Sequence, residues 1–379
     1  MRSARMRGAT GTAMIKNILS RPAALAVETY RRAGGLSDTA AELNLSWTVD
    51  EREFLAADVM DVLGQVWREE LAASLPSLRT YLVQDPLGEH LIGSAVKGFF
   101  RLPDETCVFT GAGVGSLLHA FAGIAHQYEV FILGEVYPDF PFWLDRTGQR
   151  PSMDLRACSV SNFIAARPPK SVAFLEHPSL SGELTKAQIA LLCASAESAG
   201  SLVLIDESNA NYLPSEDSAA PLVEQFDNLI VLRGFSKAYG LGALRLAFGV
   251  ASSRLRPLIE NLIPPLLATP LSLNMGERLL RLGDLARPLR SRVAEARTEA
   301  ETYLASYLSQ RPRMAAHGLP YLLVDGPIDE ISGALAERGI RGKAHARWSV
   351  DRGGMNYIYR LSAPLALDRM AELERRLRP

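Results

Sequence analysis

The chain has 379 residues and a formal net charge of −1, with 47% hydrophobic and 22% charged residues. That length supplies a large core and exceeds the usual single-domain range, so two lobes are expected. No long basic or acidic run stands out and no apolar run is long enough to span a bilayer, so the composition argues against nucleic-acid partners and against a membrane.

The first residues, MRSARMRGATGTAMIKNIL, are basic and then mildly apolar, without the longer apolar core and small-residue cleavage site of a signal peptide. They read as a start-site artefact or a disordered tail leading into the first helix. Cys107, Cys158 and Cys193 are widely spaced and form no CxxC pair, so small core residues in a reducing, cytoplasmic setting are expected, and no structural metal.

Amphipathic spacing predicts a helix over 55–75, and a turn-rich stretch with Pro76, Pro86 and Gly88 leads into a second helix over about 88–100. Strands then alternate with helices. Strands are predicted at 106–111, 128–135, 171–178, 201–208, 228–236 and 244–251, and helices at 113–125 and 185–200. Strands apolar on both faces and separated by helices indicate a mostly parallel central sheet sandwiched by helices, an α/β fold. Beyond it come a long helix over 287–311, strands over 320–326 and 355–362, and helices near 328–338 and 367–377, a smaller α+β domain. The expected division is 1–75 as an N-terminal arm or part of the small domain, 76–270 as the large domain and 271–379 as the small C-terminal domain.

The most specific stretch is LRGFSKAYGLGALRLAFGV, 232–250. Lys237 follows a strand and sits in a loop with Ser236, Tyr239, Gly240 and Gly242, and Arg245 opens the next strand. Glycines let such a loop fold tightly round a ligand, and a guanidinium can grip an anion through two parallel hydrogen bonds. Only six lysines occur in the chain, so few compete with Lys237 for a chemical role.

This segment closely resembles the Schiff-base segment of the class I/II aminotransferases, the fold type I pyridoxal-phosphate (PLP) enzymes, with the histidinol-phosphate aminotransferase-like branch nearest. The resemblance covers roughly residues 75–375. It implies that Lys237 holds PLP as a Schiff base and that Ser236 and Arg245 bind the cofactor phosphate. The family often carries a serine or threonine where this chain has Gly234.

Other landmarks follow in the family's order. Asp206 ends the strand SLVLIDES, a place suited to a ligand-facing carboxylate, and the resemblance implies that it pairs with the cofactor's ring nitrogen. Helix N-capping is the alternative for an aspartate there. TGAGVGSLLHAF joins a strand to a helix through glycines, so that backbone amides of Gly113, Val114 and Gly115 can cradle a phosphate. Tyr137, in GEVYPDFPFW, matches the aromatic that stacks on the pyridine face, with Phe140 and Trp143 as core or pocket wall. Arg360, in NYIYRLSAPL, matches the arginine that binds the substrate α-carboxylate. Tyr81 resembles the tyrosine that reaches the partner subunit's cofactor phosphate, which implies a homodimer with shared active sites; an exposed turn tyrosine is the equal alternative.

Two positions depart from the family. Ser179, in EHPSLSGEL, stands where an asparagine is usual, and Asn209 stands in place of a tyrosine three residues after Asp206. The expectation is that Asn209 supplies the amide that Ser179 lacks. Arg341, Lys343 and Arg347 read as a solvated turn or, alternatively, as a site for a phosphate-bearing side chain. The activity implied is transamination of an amino acid to a keto acid, with Lys237, Asp206 and Tyr137 at its centre. The alternative is a PLP-dependent lyase or synthase of specialised biosynthesis, acting by elimination, replacement or cyclisation on an amino acid such as S-adenosylmethionine. A nicotinamide dehydrogenase is disfavoured, because no GxGxxG follows a strand at the right place.

Overall fold

The computed structural model describes residues 38–378, except 80, 82, 135, 138, 147–151, 155–168, 181, 183, 317 and 350–353, and gives the backbone alone at 145, 152–154, 346–349 and 354–357. The basic N-terminal tail and Cys158 lie outside the described residues.

Thirteen strands are described, numbered here in chain order: β1 (Leu43–Asn44), β2 (Cys107–Gly111), β3 (Glu129–Leu133), β4 (Ser152–Asp154), β5 (Ser171–Glu176), β6 (Leu202–Asp206), β7 (Leu229–Gly234), β8 (Ala247–Ala251), β9 (Arg313–Met314), β10 (Tyr321–Val324), β11 (Ile340–Arg341), β12 (Lys343–Ser349) and β13 (Gly354–Ser362). Seven form the large sheet, in the order β2-β8-β7-β6-β5-β3-β4. The pairs from β7 through β6, β5 and β3 to β4 are parallel, and β8 runs antiparallel to both β7 and β2.

The central strands are buried on both faces because their residues are apolar at successive positions. On β6, Val203 and Ile205 enter one core cluster with Val96, Leu192 and Phe248, while Leu204 enters another with Phe109, Leu117 and Phe174. Helices cover each face. Helix Lys186–Ser198 starts at a reciprocal cap in which Thr185 and Gln188 satisfy each other's backbone amides. Helix Pro270–Arg281 starts at Thr269, with proline at its first position, and Leu273, Leu279 and Leu280 pack into the large sheet's core. Cys107 and Cys193 are buried, as small core residues, and burial pushes the Cys107 thiol up to about 11.

A four-stranded antiparallel sheet, β12-β13-β10-β9, packs on helices Arg287–Tyr307 and Leu367–Leu377 round a third core containing Leu289, Val293, Leu322, Leu361 and Leu373. The N-terminal segment is sewn into this part of the molecule. β1 pairs in parallel with β11, and Ser362 donates its amide to the Leu45 carbonyl. The Asp50 carboxylate accepts from the amides of Leu365 and Ala366 at 2.9 and 2.7 Å and meets Arg369 at 3.3 Å. These ties deliver residues 47–52 to the mouth of the large sheet.

Candidate active site

A cavity of about 730 Å³ lies between the large sheet and the small one. Its lining brings together Val114, Gly115, Tyr137, Asp206, Ser236, Lys237, Arg245 and Arg360. These residues are separated by as many as 246 positions in the chain and converge because the parallel strands all present their C-terminal ends to one edge.

At one wall of the cavity a glycine turn, a helix start and an arginine come together. β2 runs into helix Val114–Phe121 through Gly113, whose φ of +85° is open to glycine and strained for other residues. Arg245 folds back against this turn. Its guanidinium donates to the Ala112 carbonyl at 2.6 Å and to the Gly242 carbonyl at 3.1 Å. A side chain at Gly113 would place its first carbon 2.6 Å from the Arg245 Nη2, so the glycine makes room for the arginine. The helix N-terminus and the guanidinium therefore adjoin, and Ser236 lines the same cavity. Gly234 also has a packing reason: a Cβ there would lie 3.0 Å from Val114 Cγ2, and the Gly234 carbonyl accepts from Asn211 Nδ2 at 2.9 Å.

Asp206 lies at the end of β6, 2% exposed, and accepts from the Ser208 amide at 2.7 Å. Burial pushes its carboxyl up to about 6, against the pull of the Ser208 hydrogen bonds and the Lys237 charge. Lys237 sits in the loop after β7, which is closed by hydrogen bonds from the Gly240 amide to the Lys237 carbonyl at 2.7 Å and from the Leu241 amide to the Phe235 carbonyl at 3.1 Å. Tyr137 donates its hydroxyl to Asp139 at 2.6 Å, and its ring stands 6.0 Å from that of Trp143. Phe140 is core and Trp143 packs edge-on against His119.

The opposite wall comes from the small sheet. Arg360, on β13, donates to the Ser46 carbonyl at 2.7 Å and lies 4.3 Å over the Tyr321 ring. Its Nε is buried without a hydrogen-bond partner.

Four of the candidate residues do not line the cavity. Gly113 sits directly behind it, against Arg245. The Ser179 hydroxyl turns into its own loop, donating to the Gly182 carbonyl at 2.6 Å and accepting from the Gly182 amide at 3.2 Å. Asn209 starts a short 3₁₀ turn, and its Oδ1 is buried without a hydrogen-bond partner. Tyr81 is 82% exposed, and Val83 and Leu78 are exposed too.

Sequence reasoning missed the N-terminal wall (Trp47, Thr48, Val49 and Arg52) and Tyr321, all of which line the cavity. It also misplaced Lys343, which is not in a solvated turn: it is 7% exposed and its Nζ lies 4.3 Å over the Trp47 ring. Arg341 pairs with Glu42 at 3.0 Å, and the Arg347 side chain lies outside the described residues. A further network was unforeseen. Arg233 on β7 pairs with Glu207 at 2.9 Å and donates to Asn211 Oδ1 at 3.0 and 2.8 Å, while Glu207 also accepts from Ser218 and from the Ala219 amide, each at 2.6 Å. The signal was present in the sequence as two opposite charges, one in each of two strands that must be buried.

Comparison with known proteins agrees with this geometry. Residues 182–281 match the family model of aminotransferase class I and II. The histidinol-phosphate aminotransferase of Bacillus licheniformis is 41% identical over 87 residues, 22% of this chain and 24% of that protein. That of Geobacillus thermodenitrificans is 32% identical over 150 residues, 37% of this chain and 38% of that protein. The matched stretches thus span well under half of those relatives' length. Among solved structures, the histidinol-phosphate aminotransferase of Sinorhizobium meliloti in complex with pyridoxal-5'-phosphate superposes with a TM-score of 0.66 at 16% identity, covering 90% of each chain. The L-threonine-O-3-phosphate decarboxylase of Porphyromonas gingivalis does so at 0.67 and 16%, covering 88% of this chain and 98% of that one. The fold is fold type I, the architecture of PLP-dependent aminotransferases. The 182–281 segment is thus similar to the class I and II aminotransferases, and the fold of the chain is shared with solved members of that group.

The residues fit PLP. The pocket formed by Gly113, the helix N-terminus and Arg245 suits a phosphate, and the buried Asp206 carboxylate, costly to ionise alone, suits a protonated ring nitrogen.

Proposed function

We propose that the protein is a PLP-dependent aminotransferase acting on an amino acid, with Lys237 as the amine that carries the cofactor. The observation that supports this most directly is the shared cavity: Lys237 and Asp206 line it together with two cations, Arg245 and Arg360. When bound, PLP supplies an aldehyde that condenses with amines and a ring that accepts the electron pair left when a bond to the substrate α-carbon breaks.

The protein's own groups do the rest. Gly113, Val114, Gly115, Ser236 and Arg245 would hold the phosphate end, and Tyr137 would lie against the ring. The Asp206 carboxylate holds the ring-nitrogen proton, and that cation in turn favours ionised Asp206. Arg360 grips the substrate carboxylate and so orients the α-hydrogen toward Lys237. The Lys237 amine would hold the cofactor at rest and, once free, would serve as the base that takes and returns the substrate α-proton.

A second reading, a lyase or synthase on the same site, is favoured by the closed Ser179 loop and by Asn209, which together change the surroundings expected of the cofactor's phenolic oxygen. The shared fold leaves this choice open, since a decarboxylase and aminotransferases share it. Excess amino donor decides between them. A transaminase leaves the cofactor in its amine form, with a lasting loss of the aldehyde absorbance; a lyase returns to its starting spectrum when the donor is consumed.

The homodimer is part of the same proposal. Tyr81, Val83 and Leu78 are exposed large hydrophobic residues that a second copy would cover. Sedimentation equilibrium tests it, a monomer at micromolar concentration being the contrary result.

A further inference from the structure

The β6–β7 ladder ends at the pair Asp206 and Leu232, after which the Glu207 amide adds one more bond, to the Leu232 carbonyl at 2.8 Å. β7 runs on through Arg233 and Gly234, still paired with β8 on its other side. Successive residues of a strand turn opposite ways, so the Gly234 carbonyl faces the side from which Glu207 met that of Leu232. By then the chain has left β6 for the 3₁₀ turn Ala210–Tyr212, and a side chain stands in for the strand. Asn211 Nδ2 donates to the Gly234 carbonyl at 2.9 Å, and Asn211 Oδ1 accepts from Arg233 Nε at 3.0 Å and Nη2 at 2.8 Å. The partners fix which end of the amide is which, since a guanidinium only donates and a carbonyl only accepts. Asn211 is buried, so the Gly234 carbonyl has little water to turn to in its place. The turn is itself pinned: the buried Tyr212 donates its hydroxyl to Glu51 at 2.7 Å.

Asp206 precedes this turn, Lys237 lies three residues after Gly234, and both line the cavity. Lys237 is beyond the last rung, so the ladder alone does not set its distance from Asp206. We propose that Asn211 is a positioning residue: its side-chain amide supplies the missing rung between the Asp206 turn and the Lys237 loop, and so holds the amine where the aldehyde of the bound cofactor meets it. In the bond that forms there, C=N to the Lys237 nitrogen replaces the aldehyde C=O, and the oxygen leaves as water with the two amine hydrogens. Asn211 does not line the cavity and acts through the Gly234 backbone. This deepens the aminotransferase reading and rests on it.

The test compares two ligands of the full-length protein freed of cofactor. One is PLP; the other is 4'-deoxypyridoxine 5'-phosphate, with the same ring and phosphate but a methyl group in place of the aldehyde. The ratio of their dissociation constants, from fluorescence titration, separates the bond to the amine from the grip on ring and phosphate. Wild type should bind PLP about tenfold or more tightly than the analogue, and Lys237→Ala should abolish the difference. Asn211→Asp keeps oxygen for Arg233 but sets oxygen against the Gly234 carbonyl. It should lose most of the preference for PLP while binding the analogue within about twofold of wild type. Asn211→Ala, which removes the amide without adding charge, should do the same, and thermal melting shows whether each variant folds. A folded variant that keeps the full ratio, or that weakens both ligands equally, overturns the proposal. So does failure of both variants to fold, which would make Asn211 a residue of the fold alone. A wild type without the preference, or Lys237→Ala that retains it, overturns the aminotransferase reading itself and this proposal with it.

Discussion

Arg233 and Glu207 form an ion pair at 2.9 Å, 4% and 0% exposed, at the ends of β7 and β6, the two strands that carry Lys237 and Asp206 into the cavity. The pair is completed by Asn211, Ser218 and the Ala219 amide, so the charges are taken out of water with their hydrogen bonds satisfied. Arg233 also stacks 5.1 Å over Phe100.

Breaking this pair from one side should be costly. Arg233→Met leaves Glu207 buried and unpaired, and the expected loss in urea unfolding is about 3–5 kcal/mol. The double variant with Glu207→Leu should recover part of it. A single-variant loss below about 1 kcal/mol, the worth of a surface pair, would show that the network does not anchor the strand ends.

Asp206 makes the cofactor-free protein's stability depend on pH. Its folded carboxyl, at about 6, lies above its ordinary value of 3.8, so between these values the folded state binds more protons than the unfolded chain. Stability from this group is therefore greatest below the lower value and falls as pH rises through the window, by about 3 kcal/mol in total. Denaturation of cofactor-free protein from pH 4 to pH 7 should lose this component in Asp206→Asn, and bound cofactor should flatten it by supplying a cation. An identical pH profile for wild type and variant would contradict the assignment.

Gly113→Ala tests the anion end. The added carbon meets Arg245 at 2.6 Å, and the φ of +85° strains any side chain. Displacing the guanidinium removes a charge-assisted contact, so affinity for PLP, followed by absorbance titration, should fall about tenfold or more. Gly98→Ala, whose new carbon meets nothing within 4 Å, is the matched control. Equal affinities in the two variants would remove Arg245 from the phosphate site.

Much of the large sheet was legible because its strands are short apolar runs ended by glycine, proline or a lone carboxylate, as in SLVLIDES and LIVLRG. Helix Leu367–Leu377 was legible to the residue, since its apolar stripe is clean. β12 was missed because KAHARWS has basic residues at alternate positions, with only two alanines and a tryptophan between them as an apolar signal. The same feature hid Lys343: positive charge reads as solvent-facing until the fold wraps Trp47 over the lysine. Helix Pro270–Arg281 carries charges among its leucines, and the N-terminal wall depends on contacts across more than 300 positions, such as that of Arg360 with Ser46. The turn of Ser179 into its own loop follows from the backbone path, which the residue types do not specify.

The central claim is that one amine, Lys237, carries PLP. Reduction of the holoprotein with borohydride fixes the cofactor on whichever amine holds it, and peptide mass analysis locates it. A single added mass on the peptide containing Lys237, absent in Lys237→Ala, is the predicted result; no label, or a label on another of the chain's six lysines, would contradict the account.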